Sequence, residues 1–127
     1  MKKILIILIL SIFSPISLAE WTLIQTNDDG NMYVDFDTLQ KVGNTVTVST
    51  LNDFYSLQQK DALSTKWREI HDCKSKRFKP LSTEYYSKNM GQGNLIESIT
   101  FDDTKTDWSE VVPSSIGELK TNIICSK

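Results

Sequence analysis

The chain has 127 residues, of which 39% are hydrophobic and 24% are charged, and its formal net charge is −2 at pH 7. A chain of this length supports one small domain with a modest core. Its 14 basic and 16 acidic side chains lack the basic excess of a nucleic-acid-binding domain, which excludes nucleic acid as a partner.

The first 19 residues have the pattern of a secretory signal peptide. Lys2 and Lys3 precede an apolar run, and small residues lead up to Ala19. The run is shorter than the about 20 residues that a membrane anchor needs. We therefore predict cleavage after Ala19 and an exported domain over residues 20–127, with no transmembrane segment. That domain carries 12 basic against 16 acidic side chains, a net charge of −4.

The first half of the domain has strand-like composition. "WTLIQT" and "NMYVDF" flank "NDDG", which predicts a hairpin. "DTLQKVGN" is expected to form one helical turn that ends at Gly43. "TVTVSTLNDFY" alternates Val46 and Val48 with polar residues, as a half-buried strand does. The alternation slips at Leu51, which indicates either a bulge or burial of both faces near the end of the strand.

The second half predicts three more strands. "RFKPLSTEYYS" is one of them, and Pro80 lies at its start or at a sheet edge because proline has no N–H. "NLIESITF" is another, after the turn "KNMGQG". The strand "STKWREIHDC" places four side chains on one face: Trp67, Glu69, His71 and Cys73.

The last segment, "VPSSIGELKTNIIC", changes to a helical period. Ser115 and Glu118 have the spacing of a capping box. Ile116, Leu119 and Ile123 recur at helical spacing and predict the buried face. Six strands and then one helix, without crossover helices, predict an α+β domain: a single antiparallel sheet with the C-terminal helix packed on it.

Cys73 and Cys125 are the only cysteines, and in an exported domain they are most simply a disulfide pair. The bridge would attach the helix to the fourth strand and contribute roughly 4 kcal/mol. It would also remove the thiol that a Cys–His nucleophile beside His71 needs. Asp72 would point to the opposite sheet face, away from His71. One histidine and two distant cysteines lack zinc spacing, so we expect no metal, no cofactor and no catalytic residue.

Aromatic and thioether side chains offer the remaining candidate site. Tyr85 and Tyr86 lie on opposite faces of one strand, so one of them is expected to be exposed, and Met90 lies at a turn tip. Tyrosine and methionine are favoured at binding surfaces. Tyr86 and Met90 are therefore the candidate protein-binding surface, with core packing as the alternative reading of both.

The order of several motifs resembles the surface-adhesin protein E family of Gram-negative bacteria. They are Trp21 after the leader, "DGNMYVDFDTL", "GNTVTVSTLNDF", the "DC" at Cys73, "YYSKNMGQGNLI" and "W…VVPSSIGE" before Cys125. The resemblance implies a sheet of about six antiparallel strands, a packed C-terminal helix and bridged cysteines. It also implies adhesion, through binding of host extracellular-matrix or serum proteins. The founding type carries a lipid anchor, and this chain lacks the anchoring cysteine.

These observations predict an exported, non-enzymatic protein-binding domain, with an adhesin role as the leading hypothesis. Its location would be the periplasm, the cell surface or the medium, without a lipid anchor. A periplasmic envelope or stress-related protein without a host target is the first alternative. An exported hydrolase is the second, although the sequence shows no assembled acid, base or nucleophile. The sequence leaves the oligomeric state open.

Overall fold

The computed structural model describes residues 20–127, so the predicted signal peptide lies outside the described residues. The predicted fold class is confirmed: one antiparallel sheet precedes a C-terminal helix. A short seventh strand, which the sequence did not predict, follows the sixth. The elements are β1 (Thr22–Thr26), β2 (Gly30–Val42), β3 (Thr45–Phe54), β4 (Ser64–Asp72), β5 (Arg77–Tyr86), β6 (Leu95–Thr100), β7 (Ser109–Glu110) and α1 (Ile116–Cys125).

The sheet is a meander in which each of the first six strands pairs with the next one along the chain. The order is β1-β2-β3-β4-β5-β6, every pair is antiparallel, and β7 pairs with β5. Short hairpin connections favour this arrangement, since parallel neighbours would need crossover segments. Strands β3, β4 and β5 are consequently interior and have partners on both sides.

The helical turn predicted after Asp37 is wrong, because β2 continues as a strand to Val42. Its pairing with β3 shifts register between Asp35 and Gln40. Side chains stabilise this bulge: the Thr38 hydroxyl donates to the Asp35 carbonyl at 2.7 Å and accepts from the Ser49 N–H at 2.9 Å. The polar residues that suggested a helical turn therefore satisfy the backbone groups that the bulge exposes.

Burial of both faces, and not a bulge in β3, explains the pattern slip near Leu51. Strand β3 pairs with β4 in unbroken register. Thr50 and Leu51 point to opposite faces, and both are buried. A short 3-10 turn, Asn89–Gly91, covers the Leu51 side, where a Cβ on Gly91 would lie 3.6 Å from Leu51 Cδ1.

Pro80 lies inside β5, which begins at Arg77. On one side Pro80 falls between the residues that pair with β7 and those that pair with β6. On the other side the pairing with β4 shifts register next to it. The missing N–H therefore falls at a bulge and a local edge, the two settings in which a strand tolerates proline.

Ser115 caps α1 as predicted, since its hydroxyl accepts the Glu118 N–H at 3.2 Å. The predicted buried face is wrong. Ile116 and Leu119 are 41% and 43% exposed and Ile123 is half-buried, while the buried residues of the helix are Thr121 and Ile124.

The bridge between Cys73 and Cys125 is confirmed. It joins the residue after β4 to the last residue of α1, and Ile124, the neighbour of Cys125, is fully buried. The buried core is a cluster of Val34, Val46, Val48 and Ile124. No helix within residues 20–127 has the length and apolar character needed to span a membrane.

Candidate binding groove beside the helix

Tyr86, the first predicted surface residue, is only partly exposed and has internal partners. Its hydroxyl donates to Glu84 Oε2 at 2.6 Å, and the Lys66 ammonium lies 5.3 Å from its ring centre. Partial burial, together with the hydrogen bond to Glu84, raises the pKa of Tyr86 to about 12. Tyr86 therefore contributes to the packing of the sheet face opposite α1, and its role in binding stays a prediction.

Met90, the second predicted surface residue, is held in the 3-10 turn with a positive φ of 60°. Its N–H donates to Asp53 Oδ1 at 2.8 Å, and the Asn89 side chain donates to the same oxygen at 3.0 Å. The next N–H, of Gly91, donates to the Ser64 hydroxyl at 2.8 Å. The turn is thus attached to the end of the sheet rather than projecting from it, and its role in binding also stays a prediction.

His71 is fully buried between β4 and α1. Its Nδ1 lies 3.0 Å from Thr121 Oγ1, and its Nε2 lies 3.0 Å from Glu69 Oε1. Because an ionised carboxylate only accepts hydrogen bonds, Nε2 carries the proton. Asp72 pairs with Arg77 at 3.3 Å and does not contact His71, as the strand alternation predicts.

Glu69 connects His71 to the edge of the sheet area that α1 covers. Lys120 from α1 donates to both Glu69 oxygens, at 3.1 and 3.2 Å. Burial alone raises the pKa of Glu69, but the hydrogen bond from His71 and the charge of Lys120 outweigh it and hold the pKa below its ordinary value. The buried carboxylate is therefore ionised and paired, and the pair marks where α1 stops covering the sheet.

Beyond Lys120 the same sheet face is open and forms two adjoining depressions. The first has a volume of about 230 Å³ and the second about 220 Å³, and Asn52 and Trp67 line both. We call the two together the groove. The first depression is also lined by Thr50, Glu69, Phe78, Pro80 and Lys120. The second is also lined by Phe54, Gln58, Gln59, Thr65 and Tyr85.

Trp67 forms the centre of the groove and is held in place from two sides. Its indole N–H donates to Thr65 Oγ1 at 3.0 Å, and its ring stacks on Phe101 with the planes 8° apart. In the sheet it lies between Thr50 on β3 and Thr83 on β5. The largest aromatic surface of the groove is therefore fixed before any partner arrives.

The charged residues that line or border the groove are paired. Glu69 and Lys120 neutralise each other, and Lys120 also lies 5.5 Å from the Phe78 ring centre. At the other end Lys60 lies 5.6 Å from the Tyr85 ring centre and pairs with Glu97. The groove thus offers aromatic, amide and hydroxyl surface with no net charge.

The donor groups and the size of the groove bear on what it can hold. Among residues 20–127, no three His, Cys, Asp or Glu side chains come close enough together to hold a metal ion. Each depression is smaller than the about 300–1,000 Å³ of typical small-molecule sites. Two shallow depressions in a row suit an extended chain better than a compact ligand.

The sequence indicated part of the groove, because Trp67 and Glu69 alternate along the strand in step with His71 and Cys73. Residues two apart in a strand point to the same side, so all four lie on the face that α1 packs against. The groove itself was missed, since it also needs Asn52 from β3, Phe78 and Tyr85 from β5, and the point at which the helix stops.

Comparison with known proteins gives a consistent result. The family model for surface-adhesin protein E matches residues 21–126. Crystal form II of Haemophilus influenzae protein E is similar with a TM-score of 0.61 and 18% identity, over 82% of this chain and 87% of that one. Protein E from non-typeable Haemophilus influenzae gives 0.58 and 17%, over 82% and 75%. At these identities the likeness shows the fold. A search of curated proteins found no match.

Proposed function

The chain belongs to the surface-adhesin protein E family, and from that premise we propose that it is an exported adhesin that binds a protein partner through the groove. The partner is a host extracellular-matrix or serum protein. The domain acts by binding alone, without catalysis, and it reaches the cell surface after cleavage of the signal peptide behind Ala19.

One observation carries this proposal: a fixed aromatic groove lies open beside a disulfide-attached helix. Phe54, Trp67 and Tyr85 contribute aromatic surface, and aromatic residues are enriched at protein interfaces. The bridge between Cys73 and Cys125 holds the helix that forms one wall. Because the surface is already ordered, a partner loses less conformational entropy on binding.

The buried polar cluster supports a binding role over a catalytic one. Thr121, His71 and Glu69 follow each other in the order of a nucleophile, a base and an acid, with 3.0 Å at both contacts. Thr121 and His71 are 0% exposed, however, so a substrate cannot reach the hydroxyl in this conformation. The cluster attaches α1 to the sheet.

Binding to a panel of purified extracellular-matrix and serum proteins tests the proposal. We expect saturable binding to at least one of them. Tyr85→Ala, in the groove, should weaken it by about tenfold, whereas Tyr86→Ala, in the alternative surface of Tyr86 and Met90 on the opposite face, should leave it unchanged. If both variants are folded and lose binding equally, the interface does not lie in the groove. Absence of binding across the panel would refute the adhesin role.

Protease treatment of intact cells tests the location separately. An epitope-tagged chain at the cell surface is digested, whereas a periplasmic chain is protected and is released by osmotic shock. The adhesin proposal expects digestion. Protection with release would identify a periplasmic envelope protein instead.

A further inference from the structure

We propose that the groove takes an uncharged, proline-rich segment of the partner protein in the polyproline II conformation. This inference rests on the proposed function, because it assumes that the groove is where a protein partner binds. Four features of the groove support it: its backbone, its charge, its aromatic surface and its amide groups.

The backbone of the groove floor excludes binding by strand addition. The floor consists of β3, β4 and β5, and each of these pairs with a neighbour on both sides. Their N–H and C=O groups are already used in the sheet ladders, so an added β-strand would find no partner there. Polyproline II segments have no internal hydrogen bonds and are recognised through side-chain surfaces, which suits the face of a sheet.

The charges of the groove favour an uncharged occupant. Lys120 is paired with Glu69 at one end, and Lys60 is paired with Glu97 at the other. A charged side chain of the partner would lose water without meeting an unpaired opposite charge. An uncharged segment avoids that cost.

The aromatic surface suits proline rings. Trp67 and Tyr85 line the second depression, Phe78 and Pro80 line the first, and Trp67 is shared by both. Grooves lined by aromatic side chains are the recurring receptors for proline-rich segments, because the preformed segment loses little entropy when it binds. Because the Trp67 ring is already fixed, the groove also loses little conformational entropy when the segment binds.

Asn52 provides the polar contact that such a segment needs. It lines both depressions, next to the shared Trp67. A polyproline II segment exposes all of its carbonyl oxygens, and a side-chain amide can donate to them. A helix lying in the groove would instead set its apolar face against Asn52 and Gln59 and leave their amides without partners.

Titration of the purified, oxidised protein with synthetic peptides, followed by NMR, tests the proposal. The probe is an uncharged peptide of Pro-Pro-Ala repeats, about 12 residues long. Controls of equal length contain Ser-Gly-Ser, Pro-Pro-Glu or Pro-Pro-Lys repeats. We expect saturable shifts at the Trp67 indole N–H and the Asn52 amide, with the probe binding about tenfold more tightly than every control.

A pair of variants assigns the effect to the groove. Asn52→Ala should weaken binding of the probe by about tenfold, whereas Lys66→Ala, on the opposite face, should leave it unchanged. The inference is overturned if probe and controls bind alike, if the shifts centre on Tyr86, or if β1 or β6 responds instead. Should a matrix protein bind through Tyr85 while the probe does not, the inference fails and the proposed function stands. Should no panel protein bind, the proposed function fails whatever the probe does.

Discussion

Two halves of one sheet face differ in how far they are buried in this domain. In the covered half, Val46, Val48 and His71 lie beneath α1 and are fully buried. In the open half, Trp67 and Tyr85 continue the same face and line the groove. Strand alternation places both sets on this face, so the sheet itself does not distinguish them.

The reach of the helix makes the difference. The ten residues of α1 span about 15 Å, whereas the ten residues of β3 span about 33 Å. The disulfide fixes the C-terminal end of α1 at the end of β4. A short helix attached at one end leaves part of the face open, and the Lys120–Glu69 pair lies at the boundary. The buried core cluster lies in the covered half, and the proposed recognition surface lies in the open half.

The largest expected effect comes from releasing the helix. Cys73→Ser should lower the free energy of unfolding by about 4 kcal/mol, because the bridge closes a loop with a sequence separation of 52. Denaturant unfolding measures the loss, and Cys125→Ser should match it. A change below about 1 kcal/mol would show that the helix is held without the bridge.

The next effect distinguishes the two faces of the helix. Ile124→Ala should cost about 3 kcal/mol, because Ile124 is fully buried against the core. Leu119→Ala, on the exposed side, should change stability by no more than about 0.5 kcal/mol. Thermal unfolding of the two variants gives the comparison. A larger loss of stability in Leu119→Ala than in Ile124→Ala would instead support the buried face that the sequence pattern predicted.

The boundary between the two halves should respond to acid. The folded-state pKa of Glu69 lies below its ordinary value of 4.5, so its pairing stabilises the protein above that pH and is lost as the pH falls through the folded-state pKa. Glu69→Gln should cost about 2 kcal/mol at neutral pH and flatten this acid dependence. Unfolding measured across the carboxyl pH range tests it. An acid dependence equal to that of the wild type would assign it to other carboxylates.

The smallest effect concerns the face opposite the groove. Tyr86→Phe should cost about 1 kcal/mol, the value of its hydrogen bond to Glu84. In the wild type, ultraviolet titration should find one tyrosine that ionises only near pH 12, and this variant should lose that transition. If the transition near pH 12 is still present in Tyr86→Phe, and one at an ordinary pH is lost instead, the hydrogen bond to Glu84 does not persist in solution.

The sequence predicted the elements better than their contacts. Alternation at Val46 and Val48 identifies β3, and the capping box at Ser115 identifies α1, because each signal is local. The covered helix face was not predictable, since Ile116, Leu119 and Ile123 form the more regular apolar stripe, whereas the buried Ile124 shares its face with the polar Thr121. The disulfide attaches Cys125, next to the buried Ile124, to the end of β4, and only the tertiary structure shows which helix face this end presents to the sheet.

The groove was less predictable still. Asn52, Trp67 and Tyr85 come from three strands and meet only when the sheet has formed. Met90 was predicted to bind because it is a methionine at a turn tip, yet Asp53 and Ser64 accept hydrogen bonds from this turn and hold it to the sheet. Composition shows which residue types can bind a partner, but the packing decides which of them face solvent together.

Site-specific photo-crosslinking tests the central claim most directly, that the open half of the helix face contacts the partner. A photo-reactive phenylalanine analogue replaces Tyr85 in one variant and its neighbour Tyr86 in the other, on opposite faces of β5. Each variant is irradiated while bound to the matrix or serum protein identified in the panel. We predict a crosslink from position 85 and none from position 86. A crosslink from position 86 alone would contradict the account and return the interface to the opposite face.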